Sequence, residues 1–347
     1  MYLTIEDKLY LTVTVVLSLS GLTFNLLLLY LIIWQSPPHL TPYRIFLGNT
    51  AVTQLLHATI YLIVAPRIIS HDIYLVVIYL GPIQYAGGWW SYMMFVTFLH
   101  LAVNSFISIM LSMVFRWLCL TTLRFPTEAA FLMCIIGYIL PLSMVLSGLS
   151  IRTFADREIN NRFLNYSISD LNKYRTVDGT ELMQAPVLFI VSCVSVLLIP
   201  IYFVMYYTRR KIYKLIDARR SLSHHYTTNG QIRMLVEALT VQSVVPLFTL
   251  MPASAIYVLS QAGIISAYFS GYCISPCLSL STCVDPLVTI HYVMPYRIPS
   301  ISAATCGHQK GLIRAVPNER SRDHNIVQRT RRLLSEVNAT QLIKITF

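Results

Sequence analysis

Charge is what this sequence has least of. Lys, Arg, Asp and Glu make up 12% of its 347 residues, against 55% hydrophobic side chains and a mean hydropathy of +0.60. A soluble domain carries about 25% charged residues, so a water-soluble globule, a disordered chain and a nucleic-acid-binding domain are all excluded by the same deficit. Paired carboxylates are lacking too: inside the apolar runs the acid well clear of the ends is Asp285, which leaves no intramembrane aspartyl dyad. No H-E-x-x-H, G-x-S-x-G or glycine-rich phosphate loop occurs, and the chain is read as not an enzyme, with no cofactor. The seven cysteines show no metal-ligand spacing; Cys273 and Cys277 lie one turn apart with no histidine or second cysteine pair to complete a site, so no metal is expected.

What is present is length of apolar run. A bilayer core of about 30 Å needs roughly 20 apolar helical residues, because a backbone amide cannot be left unpaired in lipid. Seven runs qualify: Leu9 to Trp34, Ile45 to Ile69, Gly88 to Phe115, Ala129 to Ser150, Pro186 to Tyr207, Met234 to Ser260 and Ala267 to Val293. The first exceeds a secretory h-region and is read as a retained span. The stretch Ile73 to Leu80 is too short to cross, ends at Gly81-Pro82 and is placed in the loop before span three, at the interface. The expected fold is an all-α membrane protein, a seven-transmembrane helix bundle over residues 1–297 followed by a basic cytoplasmic tail, 298–347. That tail is either a solvated basic segment or, over Ile326 to Lys344, a membrane-surface helix.

Charge sets the orientation, since Lys and Arg near span ends stay cytoplasmic. With the amino terminus outside and the carboxyl terminus cytoplasmic, nineteen cations fall on the inner side, seven of them in the third inner loop, and seven on the outer side. The sequon Asn165-Tyr166-Ser167 then lies in a long outer loop and is the expected glycosylation site. No internal repeat supports the architecture of many transporters.

The polar residues inside the spans cost free energy and ask for a reason. Gly21 and Asn25, one turn apart in span one, suit close helix packing and a bridging hydrogen bond. Asp285-Pro286 in span seven combines a loosened backbone with a carboxylate that needs a partner or a proton. Arg116 closes span three; it either snorkels to the inner headgroups or holds spans three and six together, with Glu237 as partner. Span six carries Gln242, Pro246 and Pro252, whose bends would let its inner end swing. His57, His100 and Asn104 in spans two and three, with Gln242, are either ligand-cavity residues or satisfied packing groups.

These residues, in this order, resemble the seven-helix G-protein-coupled receptor superfamily. The segment Leu239 to Pro246, the Asp285-Pro286 pair followed by Pro295-Tyr296-Arg297, Ala65-Pro66-Arg67 after span two and Gly81-Pro82 before span three are similar to the nematode serpentine chemoreceptors of class delta, over about residues 9–297. The resemblance implies a chemosensory receptor in the plasma membrane, in the sensory cilium of a chemosensory neuron. Its implied partners are a small-molecule cue in the outer half of the bundle among spans three, five, six and seven, a heterotrimeric G protein and membrane lipids, with no nucleic acid. Arg116, Asp285, Pro286, Pro246 and Glu237 take the switch and coupling roles in that reading. The chain departs from the pattern in two ways. Neither Ile73 to Trp90 nor Ile151 to Ala185 holds a cysteine, so the disulfide that would tie the long outer loop to span three cannot form, and Arg116 follows Phe115 in place of an acid. The rival readings are an odorant-gated cation channel, with opposite topology, and a secondary transporter.

Overall fold

A computed structural model describes residues 3–35, 41–71, 73–121, 126–151, 174–222, 241, 244–245 and 248–292. Glu237, Gln242, Pro246, Asn165 and the tail 298–347 lie outside them. The described chain is helical apart from three short strands: α1 (Ile5–Trp34), α2 (Thr41–Val64), β1 (Pro66–His71), β2 (Tyr74–Tyr79), a 3-10 turn (Pro82–Tyr85), α3 (Gly88–Thr121), α4 (Thr127–Gly148), β3 (Val177–Glu181), α5 (Ala185–Ser195), α6 (Leu198–Leu222), α7 (described over 248–261) and α8 (Ala267–Tyr292).

Six stretches among the described residues are long and apolar enough to cross a membrane, with α5 and most of α6 forming one of them. Their outward faces carry large apolar side chains. On α4 alone Phe131, Leu132, Ile135, Ile136, Ile139 and Leu146 are exposed, a patch that water would not tolerate and that lipid solvates. The helices hold a core in two main parts, one around Phe46, Phe115 and Leu31 at one end of the bundle, the other around Phe98, Phe106, Tyr61 and Ile274.

Local chemistry fixes the ends of these helices. Thr4 caps α1 in a reciprocal pair: its hydroxyl accepts from the Asp7 amide, and Asp7 accepts from the Thr4 amide, so the first span starts at Ile5, before the charged residues and not after them. Span two stops at Val64, short of the expected Ile69. Ala65 sits at φ 41, and the Pro66 that follows forbids it a helical conformation, so the chain leaves as strand. The fifth span is broken at Val196 and Leu197, where Pro200 in the first turn of α6 lacks the amide a continuous helix would use.

The strands are the main departure from the sequence reading. Ile73 to Leu80, expected as an interfacial loop, is largely strand β2, and it is buried from Leu75 onward. It pairs antiparallel with β1, Pro66 opposite Tyr79 and His71 opposite Tyr74, and on its other edge with β3, Tyr74 opposite Glu181 and Ile78 opposite Val177. Eight apolar residues are too few to cross lipid, but they bury well as the central strand of a sheet pressed into one end of the bundle. Ile68, Leu75, Val77 and Tyr79 from this sheet join the core with Phe95, Phe98, Val187 and Ile274.

A roofed cavity and a polar seam

The sheet roofs a cavity. It lies between Phe95 and Leu99 of α3, Val191, Val194 and Ser195 of α5, Ala253, Ser254 and Tyr257 of α7, and Ile274 and Leu278 of α8, under Ile68 and Leu75 of the hairpin. A second space borders it on the side of β3, lined among others by Val77, Tyr79, Tyr92, Asp178 and Val187. Both are walled almost entirely by hydrocarbon. No Asp, Glu, Lys, Arg or His lines the first.

The roof is held by a buried ion pair that the sequence reading missed. Arg67 of β1 and Asp7 of α1 meet at 3.4 Å, both nearly solvent-free at 3% and 0% side-chain exposure. A buried pair needs further partners for its polar atoms, and here tyrosines supply them to both Asp7 oxygens, while the Arg67 Nε stays unpaired. Tyr272 of α8 and Tyr174 donate to the two oxygens of Asp7 at 2.9 and 2.8 Å, while Arg67 donates to Tyr174 at 3.1 Å. The guanidinium also lies 4.0 Å from the ring centre of Tyr272 and 4.8 Å from that of Tyr268, a cation over two aromatic faces. Burial, with the bond to Asp7, pushes the Tyr174 phenol up to about 12, so it remains a donor at any physiological pH. Nearby, the Pro66 carbonyl accepts from Tyr10 and Ser275 at 2.7 and 2.6 Å. These contacts tie the segment before β3 to α1, β1 and α8 without a disulfide, and the cysteines among the described residues are all free.

Below the cavity, toward the other end of the bundle, runs a seam of polar side chains. Asp285 of α8 is buried and accepts from Gln54 of α2 at 2.6 Å; the same amide lies 3.1 Å from the Ser105 hydroxyl of α3. Asn104 donates to Thr53 at 2.9 Å and Asn49 to Ser108 at 2.7 Å, joining α2 to α3 twice more. Asn25 donates to its own Gly21 carbonyl at 2.8 Å and across to the Thr282 carbonyl of α8 at 2.9 Å. Gly21 itself has no room for a side chain: a Cβ there would lie 2.8 Å from the Thr282 hydroxyl and 3.2 Å from the Ala58 Cβ. Pro286 is buried within α8, next to the carboxylate.

His57 stacks on Phe98 at 4.6 Å and His100 stands edge-on to Tyr138 at 5.3 Å. Neither they nor Asn104 is among the residues that line the cavity. Arg116, near the end of α3, is buried at 6% exposure with its guanidinium 4.0 Å from the ring centre of Tyr43 on α2. Among the described residues no three His, Cys, Asp or Glu come close enough to hold a metal. Gln54 and Ser105 escaped the sequence reading because an amide and a hydroxyl in an apolar helix carry no charge to flag them. Arg67 did carry one, but its partner lies sixty residues earlier.

A helical bundle with this roofed cavity and this polar seam has the fold of the seven-helix receptors. The chain matches squid rhodopsin with a TM-score of 0.63 over 89% of its length and 90% of rhodopsin's, at 10% identity, a likeness of fold alone. The family is settled by sequence: residues 10–299 match the model of the serpentine type 7TM GPCR chemoreceptors Srd, and the chain belongs to that family. It is 50% identical to serpentine receptor class delta-32 of Caenorhabditis elegans, over 86% of this chain and 87% of the relative, and 43% identical to class delta-33 of the same nematode, over 85% and 86%. The protein is thus a multi-pass membrane protein of a chemoreceptor family and not an enzyme.

Proposed function

We propose that this chain is a chemosensory receptor that takes a small molecule into the roofed cavity and signals to a heterotrimeric G protein at the opposite end of the bundle. The amino terminus and the sheet face outward, the carboxyl terminus lies in the cytoplasm, and Asn165 carries a glycan. The receptor sits in the plasma membrane of a chemosensory neuron, at its cilium. The observation that carries this reading is the cavity itself, lined by α3, α5, α7, α8 and the hairpin, whose wall helix α8 continues into the Asp285–Gln54 seam.

The cue shifts a two-state equilibrium only by binding one arrangement better than the other, tenfold for each roughly 1.4 kcal/mol of difference. The cavity lies where four helices and the sheet meet, so a molecule there bears on α7 and α8 together. Pro286 weakens α8 beside a carboxylate shared with α2, which gives that helix a place to change its packing. Arg116, Glu237 and Pro246 act at the inner face, where the nineteen cations gather. The test is a second-messenger or calcium reading across a panel of volatile and water-soluble compounds, in matched cells with and without G-protein α subunits. Compound-dependent signals that vanish without the α subunits are expected. Cation current or substrate uptake persisting in the deficient cells would contradict coupling and favour a channel or a transporter.

A further inference from the structure

Several buried polar atoms of this bundle have no hydrogen-bond partner, the ring nitrogens of His57 and His100 among them, and those on α7 fall on one face. Ser254, Tyr257 and Gln261 stand at positions i, i+3 and i+7, which share a side of a helix. The Ser254 and Tyr257 hydroxyls and both amide atoms of Gln261 are buried with no hydrogen-bond partner. The contrast with the neighbouring face is direct: Ser260 gives its proton to the Ser70 carbonyl at 3.1 Å and lies 2.8 Å from Ser270. An unpaired buried hydroxyl costs free energy and calls for an explanation. Here the explanation lies in the wall they belong to, since Ser254 and Tyr257 line the roofed cavity, and Gln261 continues their stripe one turn toward the sheet.

Resting on the receptor reading, we propose that the cavity takes an uncharged, mainly hydrocarbon molecule bearing one oxygen function, a ketone, ester or alcohol, with that oxygen bonded to Tyr257 and Ser254. The hydrocarbon body lies against Phe95, Leu99, Ile274 and Leu278. The class follows from the walls. An ion brought into a space with no countercharge loses its hydration and gains nothing in return, a cost far above that of a lone hydroxyl. A pure hydrocarbon leaves both hydroxyls as they stand, unpaired. An oxygen acceptor at the cavity wall satisfies them.

The test compares 2-nonanone, nonane and nonanoate by the shift each gives in the thermal unfolding of the full chain in nanodiscs of neutral lipid, with no G protein present. The ketone is expected to stabilise the protein at concentrations where the alkane and the carboxylate do not. Tyr257→Phe and Ser254→Ala are each expected to weaken the ketone by about tenfold, and Ala253→Phe, which fills the space, to abolish its effect. Tyr257→Phe deletes a hydroxyl without a partner, so the ligand-free melting temperature of that variant should be no lower than the parent's, a result that a structural role for the hydroxyl would not give. Tighter binding of nonanoate overturns the proposal, as does equal binding of the ketone by parent, Tyr257→Phe and Ser254→Ala, which would leave the stripe to water. Failure of every ketone, ester and alcohol from five to ten carbons overturns it as well. Because the reading involves no signalling, a ketone that binds as described but evokes no G-protein response counts against the receptor reading and not against this one.

Discussion

Asp7 and Arg67 illustrate why single charges decide so much in a molecule with few of them. Each is buried, and each is tolerable only because the other, with Tyr174 and Tyr272, satisfies it. Removing one partner leaves an uncompensated charge, a loss of about 3–5 kcal/mol. Asp7→Asn and Arg67→Gln should therefore each lower the melting temperature of the purified receptor strongly, while the double substitution Asp7→Leu with Arg67→Met should cost less than either alone. Additive losses would show that the pair is not coupled. Gly21 makes the opposite case, in which space matters and charge does not. A methyl group there meets the Thr282 hydroxyl and the Ala58 methyl, so Gly21→Ala should destabilise by about 1–3 kcal/mol through overpacking. Adding Thr282→Ala should recover part of that loss, because it removes the nearer obstacle. In the seam, Asp285→Ala should cost about 1–3 kcal/mol, since the Gln54 amide loses the nearer of its two acceptors and keeps only the Ser105 hydroxyl. Equal melting temperatures for Asp285→Ala and its parent would mean that the bond to Ser105 suffices for Gln54.

At the scale of elements, the sheet replaces a covalent tie. β3 belongs to the long loop that precedes α5, and it is fastened to the hairpin by a ladder of backbone bonds, with the Leu182 amide bonded to the Ile73 carbonyl at 2.7 Å beyond the ladder's end. The register is open to a direct check. Tyr74 and Glu181 face each other, and directly opposed Cβ atoms lie about 4.5–5.5 Å apart, so Tyr74→Cys with Glu181→Cys should crosslink under mild oxidation. Tyr74→Cys with Thr180→Cys should not, because a one-residue shift points the side chain to the other face of the sheet. The reverse result would mean a slipped register. These strands also show what sequence could and could not reveal. The long helices were legible because lipid demands runs of about twenty apolar residues, a signal no other structure produces. Ile73 to Leu80 was legible as too short to cross but not as a buried strand, since eight apolar residues fit several structures. Val177 to Glu181 gave no sign at all: Val-Asp-Gly-Thr-Glu has neither alternation nor apolar bulk, and it is a strand only because β2 offers it an edge. Asp285 and Arg116 stood out as charges in apolar helices. The cavity did not, because its walls are the same valines, leucines and isoleucines that face lipid elsewhere.

For the whole molecule, the chain belongs to a seven-span chemoreceptor family and has a rhodopsin-like fold, and the topology proposed above, with an odd number of crossings, has its two ends on opposite faces of the membrane. With the amino terminus outside, Asn165→Gln should remove a glycosidase-sensitive mass shift, and a tag after Phe347 should stain only after permeabilisation. A tag that stains on intact cells would invert the orientation. The central claim is that occupancy of the roofed cavity governs the far end of the bundle. Guanine-nucleotide exchange on a purified heterotrimeric G protein, driven by the receptor in nanodiscs, measures this most directly. With the most potent compound from the panel, exchange should accelerate for the parent chain and stay at its basal rate for Ala253→Phe, whose new ring occupies the cavity. Acceleration undiminished in Ala253→Phe, or absent in the parent despite binding of the compound, would contradict the account.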